Sequence, residues 1–205
     1  MAAQGPIGTV LEKGERIAAE GTQLPPKQLR MTVPIARVRG LANVQPPRGY
    51  VLRPFAPGDQ DSWVQLLQRV GFAADWDRTR VDRYLEDPER REGSRVVSFG
   101  KRVVSVCFAS RENLGPSVGV LDYVATDPKH QGKGLARCVC TAVLKFFTGV
   151  GYPNVILGTD DWRLPAIKLY LSLGFEPVME REDMPGRWER IMKEVGSSQN
   201  SRADR

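Results

Sequence analysis

The stretch DPKHQGKGLA, residues 127–136, sets Gly132, Lys133 and Gly134 in a row and then passes straight into an apolar run. Before it, SVGVLDYVAT (117–126) has the β-branched and aromatic content of a strand. After it, Leu135, Val139, Val143, Phe146 and Phe147 recur on one helical face, which predicts a helix over 133–149. A helix that begins here has first-turn N–H groups without intrahelical acceptors, and its dipole adds partial positive charge. Gly132 and Gly134 remove the Cβ atoms that would hold an anion off the backbone, and Lys133 adds charge at the rim. Such an end suits a phosphate group. The same small residues also suit a helix that only needs a closely packed entry. A dinucleotide fingerprint needs a third glycine and an acid about 20 residues on, and a Walker loop needs four residues between its glycines; neither pattern is present.

Outward from the loop, NVILGT (154–159) reads as a buried strand, so 117–158 is a strand–helix–strand unit whose crossover should be parallel and right-handed. Upstream, YVLRPF (50–55) is a short strand, and Asp59 or Asp61 caps a helix with Trp63, Leu66, Leu67 and Val70 on its apolar face. A second helix is predicted over 76–86, and RVVSFGKRVVSVCFASR (95–111) is a hairpin turning at Gly100-Lys101. Downstream, RLPAIKLYLSLGF (163–175) is a helix ending at Gly174. EPVMER (176–181) and RWERIMKEV (187–195) are expected as the last two strands, parted by a turn at Met184-Pro185-Gly186. The expected fold class is α/β: a mixed central sheet of about seven strands flanked by about four helices.

Residues 1–48 lack aromatics and hold diproline pairs at 25–26 and 46–47. They are expected to be an N-terminal extension, partly disordered, with a short helix around 9–20. MTVPIARVRG (31–40) has strand content, but Pro34 in its middle demotes it. GSSQNSRADR (196–205) is expected to be a disordered tail, which leaves 49–195 as the single compact domain. The net charge of +6 resides mostly outside that domain: the extension carries +4, the tail +1 and the body +1. Charge spread this thinly, with no interleaved aromatics, argues against nucleic acid as the partner. No apolar run reaches 18 residues, so no membrane partner is expected. The start lacks the apolar core of a secretory signal, and three cysteines (Cys107, Cys138, Cys140) without metal-type spacing fit a reduced, cytoplasmic compartment and no metal.

Two motifs together carry a resemblance. Gln131-x-x-Gly134-x-Ala136 matches the Arg/Gln-x-x-Gly-x-Gly/Ala signature of the GNAT acyltransferase superfamily, and Ala166, Tyr170, Gly174 and Phe175 fall in register with its Asn-x-x-Ala-x-x-x-Tyr-x-x-x-Gly-Phe element. The resemblance covers about residues 49–195. It departs at the asparagine, where this chain has Arg163 followed by Leu164-Pro165. It implies a GNAT-like fold and acetyl-CoA as acyl donor. The pyrophosphate would lie on Gln131, Gly132, Lys133, Gly134, Leu135 and Ala136, and the pantetheine arm against Val124, Ala125 and Thr126 like an added strand, with altered contacts at Arg163. It further implies an N-acetyltransferase in which an amine attacks directly within a ternary complex, Tyr170 protonates the leaving thiolate, and a backbone N–H near Val124 to Thr126 holds the developing oxyanion. Asp122 is the candidate base.

Each site residue has a plainer alternative. Tyr170 also fits a core position, Asp122 a solvated strand position, and His130 a support for the loop; Cys107, Cys138 and Cys140 read as core or boundary residues. A fold kept as a non-catalytic acyl-CoA sensor is the alternative to turnover. The acceptor is expected between the first two helices and the last turn, beside Trp76, Tyr84, Glu182, Asp183 and Met184, where the acids would suit a cationic amine, small molecule or peptide. A homodimer is compatible with the sequence.

Overall fold

The computed structural model describes residues 27–72, 76–112 and 118–203. The helix expected around 9–20 lies outside them. In chain order the elements are β1 (Leu29–Pro34), α1 (Ile35–Val38), β2 (Tyr50–Pro54), α2 (Gln60–Arg69), α3 (Arg78–Tyr84), α4 (Pro88–Gly93), β3 (Arg95–Phe99), β4 (Arg102–Glu112), β5 (Val118–Thr126), a 3-10 turn (Pro128–His130), α5 (Leu135–Val150), β6 (Asn154–Thr159), α6 (Leu164–Ser172), β7 (Glu176–Pro177) and α7 (Met184–Ala203). The α/β class and the seven-stranded mixed sheet are as expected, with seven α-helices among the described residues in place of about four.

The sheet runs β2-β3-β4-β5-β6-β1-β7. Its first four strands are antiparallel neighbours, and β5 and β6 are parallel across α5. Both faces are covered. Leu29, Met31 and Val33 of β1 join Val139, Val143, Leu144 and Phe147 of α5 and Ile167, Phe175 and Trp188 in one apolar cluster. Trp63, Leu66, Leu67, Trp76 and Val81 pack with Val96, Val106 and Phe108 in the other. Residues 103–110 of β4 are buried throughout, as a strand covered on both faces must be. Gly119 lets α5 sit low on the sheet: a Cβ there would lie 2.9 Å from the Phe147 ring.

Three expectations are corrected. The demoted segment is a strand, β1, seated between β6 and β7 with Leu29 opposite Thr159 and Pro34 opposite Asn154. Pro34 is tolerated because it is the last residue of the strand, where the ladder ends. The extension expected over 1–48 therefore enters the sheet from residue 29. The segment expected as a final strand is instead helical in α7, with Met184, Trp188, Ile191 and Val195 buried at a helical period. That helix continues to Ala203 through most of the tail expected to be disordered.

α7 is fastened by Arg187, which is 6% exposed. It donates through Nε to Asp161 (2.9 Å) and through Nη1 to Asp183 (2.7 Å) and to the Lys27 carbonyl (2.9 Å). The contact with Arg187 holds Asp161 below the usual carboxylate range, and Arg181 together with Arg187 brings Asp183 down to about 2.

Candidate active site

β5 pairs with β4 along its length, from Val118 opposite Glu112 to Thr126 opposite Ser105. With β6 it pairs only at Gly119–Val155 and Val120–Ile156. Leu157 to Thr159 of β6 remain bonded to β1 on their other side. The C-terminal halves of β5 and β6 thus part, and both strands present backbone N–H and C=O groups to the gap. The parting coincides with a bulge: β4 advances two residues from Val106 to Phe108 while β5 moves three, from Ala125 to Asp122. Tyr123 sits in the bulge at φ 44°, the one non-glycine positive φ among the described residues. Non-glycine residues pay for that region in local strain, and such positions concentrate at functional sites.

The glycine loop closes the same end of β5. Gly132 and Gly134 both lie at φ 75°, and a Cβ at either would meet nothing within 4 Å, so the surface in front of them is open. Gly134 is the N-cap of α5 and no side chain caps that helix. Its first-turn N–H groups are therefore available to a ligand, as the sequence reading required. The loop is held from behind. Asp127 accepts the Lys129 N–H at 2.9 Å and pairs with Arg69, and these contacts overcome its burial and hold its carboxyl below the usual range. His130 meets the Tyr50 hydroxyl at 2.9 Å and packs beside Phe99, a supporting position. The Gln131 amide donates to the Thr126 carbonyl (3.4 Å), while Lys133 is exposed. Val124 and Thr126 are half-buried; the carbonyl of buried Ala125 accepts from Ser105 Oγ at 3.1 Å.

Tyr170 of α6 is 6% exposed and raised well above the ordinary phenol range, first by burial and then by the nearby Cys140, Cys107 and Asp122, with Arg163 opposing. Burial also raises the Cys107 thiol, which contacts Cys140. Tyr170 is thus a protonated phenol at neutral pH. Asp122, on β5, accepts its neighbour's N–H (Tyr123, 3.1 Å) and the Tyr84 hydroxyl (3.4 Å). Tyr84 in turn is raised, mainly by burial and then by Asp122. Arg163 pairs with Asp160 at 2.9 Å and lies over the rings of Trp162 (4.4 Å) and Phe72 (5.1 Å). Since Phe72 also touches Tyr123 (5.5 Å between rings), Arg163 connects the start of α6 to the α2 side.

Beside this gap lies an open cavity of about 490 Å³. Trp76 and Tyr84 line it as expected, together with Tyr123 and three arginines (Arg80, Arg83, Arg90) that the sequence reading did not single out. A signal existed: Arg80 and Arg83 are three apart on one helix, and Arg90 follows a helix start marked by Asp87-Pro88. Glu182, Asp183 and Met184 are not part of the cavity; Met184 is fully buried and Asp183 is engaged by Arg181 and Arg187. Among the described residues no cluster of metal-ligating side chains is present, and no helix is long and apolar enough to cross a membrane.

Comparison with known proteins follows the same lines. The acetyltransferase (GNAT) family profile matches residues 61–175. Mycothiol acetyltransferase of Pseudarthrobacter chlorophenolicus is 34% identical over 140 residues, 63% of this chain and 43% of that protein. N-acetylaspartate synthetase of Xenopus tropicalis is 33% identical over 141 residues, 62% and 52% respectively. The GCN5-related N-acetyltransferase from Sphaerobacter thermophilus superposes with a TM-score of 0.56 at 18% identity, covering 75% of this chain and 50% of that one. The chain spans about half the length of the curated relatives it matches.

Proposed function

The chain belongs to the GNAT acetyltransferase family, and from that premise we propose that it is an N-acetyltransferase moving the acetyl group of acetyl-CoA to an amine by direct attack. The observation that carries this reading is the juxtaposition of an uncapped helix N-terminus, opened by two left-handed glycines, with a gap where two parallel strands part. A diphosphate fits the first, and an extended amide-bearing arm fits the second.

In this reading residues 131–136 bind the diphosphate through backbone N–H groups, and Val124 to Thr126 offer the edge for the arm. Arg163, held by Asp160, flanks the gap. When bound, acetyl-CoA supplies an activated thioester. A backbone N–H of the bulge around Tyr123 to Thr126 is suited to hold a carbonyl oxygen in a water-poor site. Tyr170, a buried and protonated phenol, is the proton donor of this reading. Asp122, joined to the Tyr84 hydroxyl, is the proton acceptor on the side of the cavity. The amine enters by that cavity, which shares Tyr84 and Tyr123 with the catalytic edge.

The test is calorimetric titration of acetyl-CoA and CoA, followed by release of free thiol in the presence of an amine panel. Binding with amine-dependent thiol release is expected. Binding with no release for any amine would favour a non-catalytic acyl-CoA sensor, and no binding would overturn both.

A further inference from the structure

Resting on the acetyl-transfer reading, we infer that the cavity walled by α3, α4 and Tyr123 selects acceptor amines that also carry an anionic group, a carboxylate or a phosphate. Among the described residues its charged lining is Arg80, Arg83 and Arg90 with one acid, Asp77. Asp77 is committed to its own helix, accepting the Arg80 N–H at 2.7 Å. A second cationic centre on the acceptor would therefore meet like charge, the reverse of what the acids at 182–183 suggest from sequence alone.

Arg90 is also arranged to receive an anion. It lies over the Tyr84 ring at 4.4 Å. Stacking occupies the flat face of its guanidinium and leaves the N–H edge for a planar or tetrahedral oxyanion. The stacking partner fixes the plane, so little rotamer freedom is lost when an anion docks. Neither Arg83 nor Arg90 forms an ion pair with a carboxylate of the described residues.

The cavity belongs to the acceptor and not to the diphosphate. None of residues 131–136 lines it, whereas Tyr84 and Tyr123 do, and these lead to Asp122. An acceptor held by its anionic group on the arginines points its amine toward that end.

The experiment compares L-glutamate, O-phosphoethanolamine and cadaverine as acceptors with saturating acetyl-CoA, read by thiol release, and titrates the same amines calorimetrically into the CoA-loaded protein. An anionic amine should exceed cadaverine in kcat/KM or affinity by at least tenfold, and the better of the two identifies the oxyanion. Arg83→Gln and Arg90→Gln should each raise its KM roughly ten- to a hundredfold. Arg83 is exposed, so its variant is not expected to disturb folding. Preference for cadaverine, no interaction with either anionic amine, or an unchanged KM in both variants would overturn the inference. Acetyl-CoA binding by the same protein separates the two levels: if acetyl-CoA binds while anionic amines show no advantage, only the acceptor assignment falls.

Discussion

The sheet is built from two halves by different rules, and the gap between β5 and β6 is the seam. On one side, β2 to β5 follow one another in the sheet, and β3 to β5 are hairpin-connected neighbours in the chain as well. On the other side, β1 lies between β6 and β7, pairing residue 29 with residue 159 and residue 31 with residue 177. In the first half, strands adjacent in the sheet are consecutive in the chain, with α2 to α4 between β2 and β3. The second exists only because a segment from the start of the described chain is captured by two strands from its other end. The local half carries the loop, the bulge and the arginine cavity, while the non-local half carries Tyr170 and the α7 anchor. The gap between β5 and β6 therefore requires both kinds of assembly.

Removing the captured strand should produce the largest effect. A chain beginning at Gly49 lacks β1, so β6 and β7 lose a shared neighbour and Leu29, Met31 and Val33 leave the core. Each such side chain contributes about 1.5–3 kcal/mol when buried, and the total stability of a domain is of order 5–15 kcal/mol. The shortened chain should show no cooperative melt by circular dichroism. A melt within a few degrees of the full chain would show that the halves are independent.

Next comes the loop of the local half. Gly134→Asp puts a side chain on backbone at φ 75° and a negative charge at the bare N-terminus of α5. CoA affinity should fall by roughly a hundredfold or more in calorimetry, with the far-ultraviolet spectrum retained. Unchanged affinity would remove the diphosphate from the loop.

Tyr170→Phe addresses the other side of the gap. It keeps the ring against Phe175 and removes only the hydroxyl. If that phenol donates the proton, kcat falls roughly ten- to a thousandfold while CoA affinity and melting temperature hold. Wild-type turnover would leave Tyr170 as core.

The smallest effects should come from the α7 anchor. Arg187→Met strips Asp161 and Asp183 of their shared cation and should lower the melting temperature by roughly 5–10 °C. The wild type should also lose this stabilisation in acid. Both carboxyls have folded-state values depressed below their ordinary 3.8, so the contribution is complete above about pH 4 and fades as pH falls toward the Asp183 value of about 2. Melting curves between pH 5 and pH 2 should be less steep in pH for the variant than for the wild type. Equal slopes would mean the ion pairs do not couple α7 to the fold.

Where local signals sufficed, the sequence was readable. The helix predicted over 133–149 is α5, Leu135–Val150, because its apolar period is set within a few turns. The turn at Gly100-Lys101 joins β3 to β4, and Trp63, Leu66 and Leu67 form the buried face assigned to them, while Asp59 stands at the N-cap position without capping, its carboxylate accepting instead from Arg53 and the Ala56 N–H. The error at α7 has another cause. Trp188, Ile191 and Val195 carry a helical period, and Glu189 and Lys193 stand four apart in an ion pair. Those signals lost to the reading of Met184-Pro185-Gly186 as a turn between two last strands. In this chain β1 sits between β6 and β7, so the sheet needs no strand from residues 187–195.

By itself the sequence determined the elements from residue 50 to residue 175 other than α4, the faces they bury and the glycine loop at the mouth of α5. Side-chain periodicity, caps and turn residues act over a handful of positions, and their outcome is written in the chain beside them. Only the tertiary structure decided that residues 29–34 complete the sheet and that Arg80, Arg83 and Arg90 face one cavity with Tyr123. A strand's own residues specify that it can pair, not with which strand. The charge of a cavity is likewise a sum over side chains that local sequence cannot bring together.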